Sequence, residues 1–145
     1  MTAKELWNKF TSDTGIAAQY ESWAFGTDAD TLADLVLRGV KTATASAYPL
    51  YAIDGDDLPK VGEYSVILDS RDTAVCIIKT TKVFTAPFCD IGAEQAYKEG
   101  EGDRSLDYWR QVHREFFTEC MNEAGLEFSE DMLVVCEEFE VMYRS

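Results

Sequence analysis

The run Val75-Cys76-Ile77-Ile78 is apolar on both faces of any strand it forms, so the strand must lie inside a sheet with cover on both sides. That strand spans Thr73–Thr80 and is joined to an earlier one, Tyr64–Leu68, by the turn residues Asp69-Ser70-Arg71-Asp72. A further strand, roughly Thr81–Thr85, ends at Pro87. Upstream, Thr42-Ala43-Thr44-Ala45-Ser46-Ala47 alternates hydroxyl and methyl with the period of a strand. Thr42, Thr44 and Ser46 then share one side, and residues this small suit a place where another group approaches closely. Tyr48 to Val61, broken by Pro49, Gly55 and Pro59, reads as irregular. The last strand is Leu133–Tyr143, with Leu133, Val135, Phe139, Val141 and Tyr143 in one register. Glu137 falls in that register too, which marks either a bulge or a site residue.

Helices flank these strands. Thr2-Ala3-Lys4-Glu5 has capping-box spacing, with Leu6 and Phe10 one turn apart behind it and Gly15 as the stop. A second helix begins near Thr31-Leu32-Ala33-Asp34 and ends where Gly39 supplies a positive φ. Ser105 caps the longest helix, 105–124. Its stripe of Leu106, Trp109, His113, Phe116, Phe117, Cys120 and Ala124 has helical spacing, and Gly125 closes it. His113 in that stripe reads as a satisfied core residue. The whole is α+β with a small mixed β-barrel of about five or six strands and flanking helices.

At 145 residues, without repeats or linkers, residues 1–145 form a single domain. A net charge of −14 repels polyanions and excludes sequence-blind DNA binding. The excess is uneven: residues 36–88 carry 6 basic and 6 acidic side chains, residues 89–145 carry 5 and 15. No apolar run approaches the roughly 18–20 residues that span a bilayer, and the first residues lack a signal peptide's pattern. Cys76, Cys89, Cys120 and Cys136 are dispersed, so reduced thiols and a cytoplasmic location are expected. One histidine and scattered thiols make no zinc site, and Asp54-Gly55-Asp56-Asp57 lacks calcium-loop spacing. No metal or cofactor is expected; a homodimer is left open.

The segment Gly39-Val40-Lys41-Thr42-Ala43-Thr44-Ala45-Ser46 resembles the Gly-x-Lys-Thr-x-Thr signature of the ASCH family. Pro59-Lys60-Val61-Gly62-Glu63-Tyr64, Gly100-Glu101-Gly102-Asp103-Arg104-Ser105 and Phe128-Ser129-Glu130-Asp131-Met132 extend the resemblance over nearly the whole chain, towards a subgroup of small bacterial proteins. The resemblance implies a PUA-like barrel with a cleft beside the lysine–threonine segment. It also implies a nucleoside or short RNA element as ligand, with hydrolysis of an amide on N-acylated cytidine as one activity. A non-catalytic RNA-binding or regulatory module and a ribonuclease using the same lysine are the alternatives. Lys41, Thr44 and Glu101 are the catalytic candidates carried over by the resemblance, with Glu99 competing for the glutamate role. Ser46 stands where the family's amidohydrolases carry an arginine, which leaves the substrate open.

Two assignments fit that trio. A lysine base must shed its proton, which costs an ordinary lysine about 4 kcal/mol near neutral pH, and nearby carboxylates raise the cost. Alternatively Glu101 is the base and a charged Lys41 stabilises an oxyanion, avoiding that cost. Lys41 also follows a helix-ending glycine, where a cation offsets the helix dipole without further duty. Thr42, Ser46, Tyr48 and Arg104 are candidate ligand-binding residues: Arg104 could hold a phosphate, and Tyr48 or Tyr51 could stack on a base.

Overall fold

In the computed structural model, which describes residues 1–145, five strands and five α-helices follow one another along the chain. Helix α1, Ala3–Thr14, begins at the predicted capping box: Thr2 accepts from the Glu5 amide and the Glu5 side chain accepts from that of Thr2. It presents Leu6, Trp7 and Phe10 to one face of the sheet, where they meet Val66, Ala74 and Ile77. Each buried side chain of this size stabilises by roughly 1.5–3 kcal/mol.

Strand β1, Tyr20–Ala24, was not expected from the sequence. Tyr20-Glu21-Ser22-Trp23-Ala24 is half polar because it lies at a sheet edge and buries little. Helix α2, Ala29–Leu37, starts two residues before the expected Thr31, because Asp28 is its N-cap and accepts from the Thr31 amide at 3.4 Å. Gly39 ends it with φ 74°, as expected. Strand β2 is Ala43–Ala47.

Helix α3, Tyr48–Asp54, corrects the reading of that stretch as irregular. Pro49 sits in its first turn, where a missing N–H costs nothing, and Gly55 closes it in the left-handed region. Strand β3 is Tyr64–Leu68 as expected, whereas β4 is one strand, Ala74–Pro87, rather than two. The reason is a bulge. Thr80 pairs with Phe139 and Lys82 with Glu138, so Thr81 is an extra residue that bends β4 without ending it. A 3₁₀ turn, Phe88–Asp90, and the unpredicted short helix α4, Ala93–Glu99, follow. Helix α5, Leu106–Glu123, has Ser105 as its cap, and β5, Leu133–Arg144, closes the chain.

The strand order is β1-β3-β4-β5-β2, parallel between β1 and β3 and antiparallel elsewhere. The sheet is therefore mixed, with β4 at its centre as its two apolar faces require. It curls into a half-barrel, the five-stranded form of the expected α+β barrel. Helix α5 packs Trp109, Phe117 and Met121 against Val134 and Cys136, while α2 packs Leu32 and Val36 against Ile67, Ile78 and Phe139. No helix is long and apolar enough to cross a membrane.

Candidate functional site

Where β2 leaves α2 and meets β5, the curl of the sheet opens a cavity of about 460 Å³. Trp23, Phe25, Tyr51 and Phe116 supply aromatic wall; Thr44, Ser46, Ser65 and Thr80 supply hydroxyls. Its size and its mixture of apolar wall and sparse polar groups are those of a small-molecule site. Ser46 and Tyr51 share a 2.6 Å hydrogen bond, so α3 is fastened to β2 through the cavity wall.

Glu137 also lines the cavity. It lies directly opposite Thr44 across the β2–β5 ladder, and Thr80 Oγ1 donates to its Oε1 at 3.4 Å. Burial pushes its carboxyl up to about 7; the Thr80 hydrogen bond opposes this, and the charges of Glu63 and Glu21 add to it. The sequence left a bulge or a site residue open for Glu137. The nearby bulge is at Thr81 in neighbouring β4 rather than at Glu137 itself, and the Glu137 carboxyl lines the cavity.

A second cluster is almost wholly buried. Lys41, 2% exposed, donates from Nζ to Glu101 Oε2 at 3.0 Å and to the Glu99 carbonyl at 3.4 Å, with Glu99 Oε1 3.7 Å away. Lys41 is therefore not a solvated helix-end charge. Glu99, 1% exposed, takes further donors from Trp109 Nε1 and from Gln95 Nε2 at 3.1 Å, and His113 Nε2 lies 3.3 Å from its Oε1. Burial would raise the Glu99 carboxyl, but His113, Lys41 and Trp109 outweigh it and hold the carboxyl below its ordinary range. Burial likewise lowers His113, and its hydrogen bond to Glu99 overturns this and raises it. His113 is thus a satisfied residue, as its place in the stripe suggested, with its Nδ1 against the Trp109 carbonyl at 2.9 Å.

The ligand atoms of Glu99, Glu101 and His113 lie within 4.8 Å of one another, a spacing a metal ion could use. Lys41 already supplies the positive charge there, and Gln95 and Trp109 supply the remaining donors to Glu99. The arrangement is that of an ion-pair cluster.

Two glycines fix Glu101 in place. Gly100 ends α4 with φ 73°, and a Cβ there would lie 2.5 Å from the Val40 carbonyl oxygen; a Cβ on Gly102 would collide with the Tyr108 ring. Phe25 is common to both: it lines the cavity, and Lys41 Nζ lies 5.2 Å from its ring centroid.

Of the candidates from sequence, Lys41 and Glu101 are thus in direct contact, while Thr44 and Ser46 are cavity wall. Thr42 turns away to donate to the Lys98 carbonyl at 3.3 Å. Arg104 donates to the carbonyls of Tyr97 and Val40 and stacks over the Tyr97 ring, so its guanidinium ties the 100–104 loop down. Tyr48 is 39% exposed and outside the cavity; Tyr51 takes the aromatic place.

The model of the ASCH domain matches residues 21–143. The chain belongs to the ASCH domain family. An ASCH domain of Lactobacillus crispatus of known structure is 33% identical, with a TM-score of 0.90 over 97% of this chain and 94% of that one. A protein of Enterococcus faecalis is 34% identical, TM-score 0.88, over 97% and 88% of the two chains. An ASCH protein of Zymomonas mobilis shares the fold alone: 11% identity, TM-score 0.54, over 87% and 71%. No curated protein matches. In this ASCH chain the signature segment runs from the Gly39 turn through Lys41 into β2, so the motif joins the buried cluster to the cavity wall.

Reasoning from sequence missed Gln95 and Trp109 as partners of Glu99. The signal for Trp109 was its helical spacing from His113; for Gln95 there was none, because α4 itself was missed.

Proposed function

We propose that this ASCH domain binds a nucleoside-sized ligand in the cavity bounded by β2, β5 and α3. The observation that carries the reading is the cavity itself: about 460 Å³, aromatic on its walls, with the hydroxyls of Thr44 and Ser46 and the Glu137 carboxyl as polar groups. A planar base fits such walls by stacking, and the hydroxyls fix its orientation. A short RNA element would have to enter by one extruded base.

A second reading, hydrolysis of an amide on an N-acylated cytidine, is favoured by the 3.0 Å contact between Lys41 and Glu101 beside the Thr44 strand. In this reading Glu101 takes the proton from Thr44 or from water, and Lys41 keeps its charge and steadies the developing oxyanion. The pairing of Lys41 with two carboxylates supports a charged lysine over a lysine base. Thr44 lines the cavity and Lys41 and Glu101 do not, so this reading requires the cluster to be brought to an acyl group held there.

Purified protein incubated with acylated cytidines and with RNA, followed by chromatography, tests both readings. Deacylated nucleoside that disappears in Thr44→Val or Glu101→Gln supports hydrolysis. Nucleoside binding without turnover leaves the binding reading; cleaved RNA sinks both in favour of a ribonuclease.

A further inference from the structure

The cavity wall carries six carboxylates, Glu21, Asp54, Asp56, Asp57, Glu63 and Glu137, against one lysine, Lys60. No arginine lines it, and the Glu63 side chain already accepts from the Lys60 backbone amide. Five of the six stand at the exposed rim, on β1, α3 and the stretch leading into β3. The sixth, Glu137, is half-buried beside the aromatic wall, with a single long hydrogen bond from Thr80 and no cation in salt-bridge range.

A phosphate entering this mouth meets six carboxylates and only the single ammonium of Lys60 to offset them. A half-buried carboxyl without a counter-ion has the opposite preference. It gains from any ligand N–H brought against it, and gains more if that ligand carries positive charge. Carboxylates read an exocyclic amino group of cytosine type in this way. The aromatic wall formed by Trp23, Phe25, Tyr51 and Phe116 favours a flat partner, and its π faces attract a cation.

We infer that the cavity selects a planar heteroaromatic ligand that carries an amino or protonated nitrogen and no phosphate, and that Glu137 is the residue that reads that nitrogen. The inference rests on the cavity being the ligand site, and it deepens that reading by setting the ligand's charge. It makes the rim a filter: free bases, nucleosides and aromatic amines enter, whereas nucleotides are turned away.

Calorimetric titration of the full chain with cytidine, cytidine 5′-monophosphate and tryptamine tests it. The inference expects cytidine or tryptamine to bind and the monophosphate to bind roughly tenfold or more weakly than cytidine. Glu137→Gln should weaken the bound probe roughly tenfold or more, the scale of one lost polar pair to a base. Asp56→Asn with Asp57→Asn should recover part of the monophosphate affinity without touching Glu137. Tryptamine binding that depends on Glu137, with no nucleoside binding, keeps the inference and removes the nucleoside reading. Equal or tighter binding of the monophosphate, or indifference to Glu137→Gln, overturns the inference while leaving a nucleoside site standing. No binding by any of the three overturns both.

Discussion

Thr44 on β2 and Glu137 on β5 face one another across an antiparallel pair, and both line one cavity. Directly opposed residues share a sheet face with their Cβ atoms about 5 Å apart. The hydroxyl that the signature motif supplies and the one carboxyl lying inward in the last strand are therefore parts of a single polar patch.

Glu137 should cost stability. Its folded carboxyl titrates near 7 against an ordinary 4.5, burial being the main cause, with Glu63, Glu21, Tyr51 and Thr80 around it and no base among them. A raised carboxyl is neutral in both states below about pH 4.5, so nothing is lost there. Above that the unfolded chain ionises first, and folding loses roughly 3 kcal/mol by the time both states are ionised. Glu137→Gln should therefore raise the melting temperature at pH 8 and change it little at pH 4.5. An equal effect at both values would show that the carboxyl is not destabilised by burial.

The central strand, the capped first and last helices and the closing strand could all be read from residues 2–15, 73–80 and 105–143, because apolar periodicity and caps act locally. Strand β1 and helix α4 were hidden for the same physical reason: each is short and held by neighbours remote in sequence. Of the candidate residues read from sequence, Thr44 and Ser46 line the cavity and Lys41 lies in the buried cluster with Glu99 and Glu101. The contacts of Arg104 and Thr42 could not be read, because their polar atoms are spent on backbone carbonyls that only the folded chain brings near.

Lys41 should be a structural residue. Removing one member of a buried ion pair strands the other, typically at about 3–5 kcal/mol. Lys41→Ala is expected near the lower end, because Glu99 keeps His113, Gln95 and Trp109. Urea unfolding measures this; a loss below about 1 kcal/mol would mean the pair is solvated in solution. Any turnover lost in this variant has to be read beside its melting curve.

The single histidine gives a clean probe of the cluster. His113 is raised, with burial opposing and Glu99 prevailing, so its contribution to stability is complete below the unfolded value near 6.5 and fades as pH rises through the folded value. Glu99 is lowered, so its contribution is present above the ordinary carboxylate range and fades as pH falls through its folded value. Proton NMR should place the His113 midpoint above 6.5 in the native protein, and Glu99→Gln should move it down. A midpoint below 6.5 would mean burial wins and the imidazole is neutral.

Gly100 should not accept a side chain. Alanine there meets both a left-handed backbone, at about 1–2 kcal/mol, and the Val40 carbonyl 2.5 Å away. Gly100→Ala should lower stability by more than 2 kcal/mol by those figures and displace Glu101 from Lys41. Gly55→Ala, with open space around its Cβ, isolates the backbone part of that cost.

The central claim, that the cavity is the ligand site, is tested most directly by mapping amide shifts as N4-acetylcytidine is titrated into ¹⁵N-labelled protein. Saturable shifts should concentrate at residues 44–47, at Tyr51 and at residues 135–138, and Thr44→Val should leave the fold intact while altering that pattern. Shifts confined to surfaces away from β2 and β5, or none at concentrations where binding is seen by another method, would contradict the account.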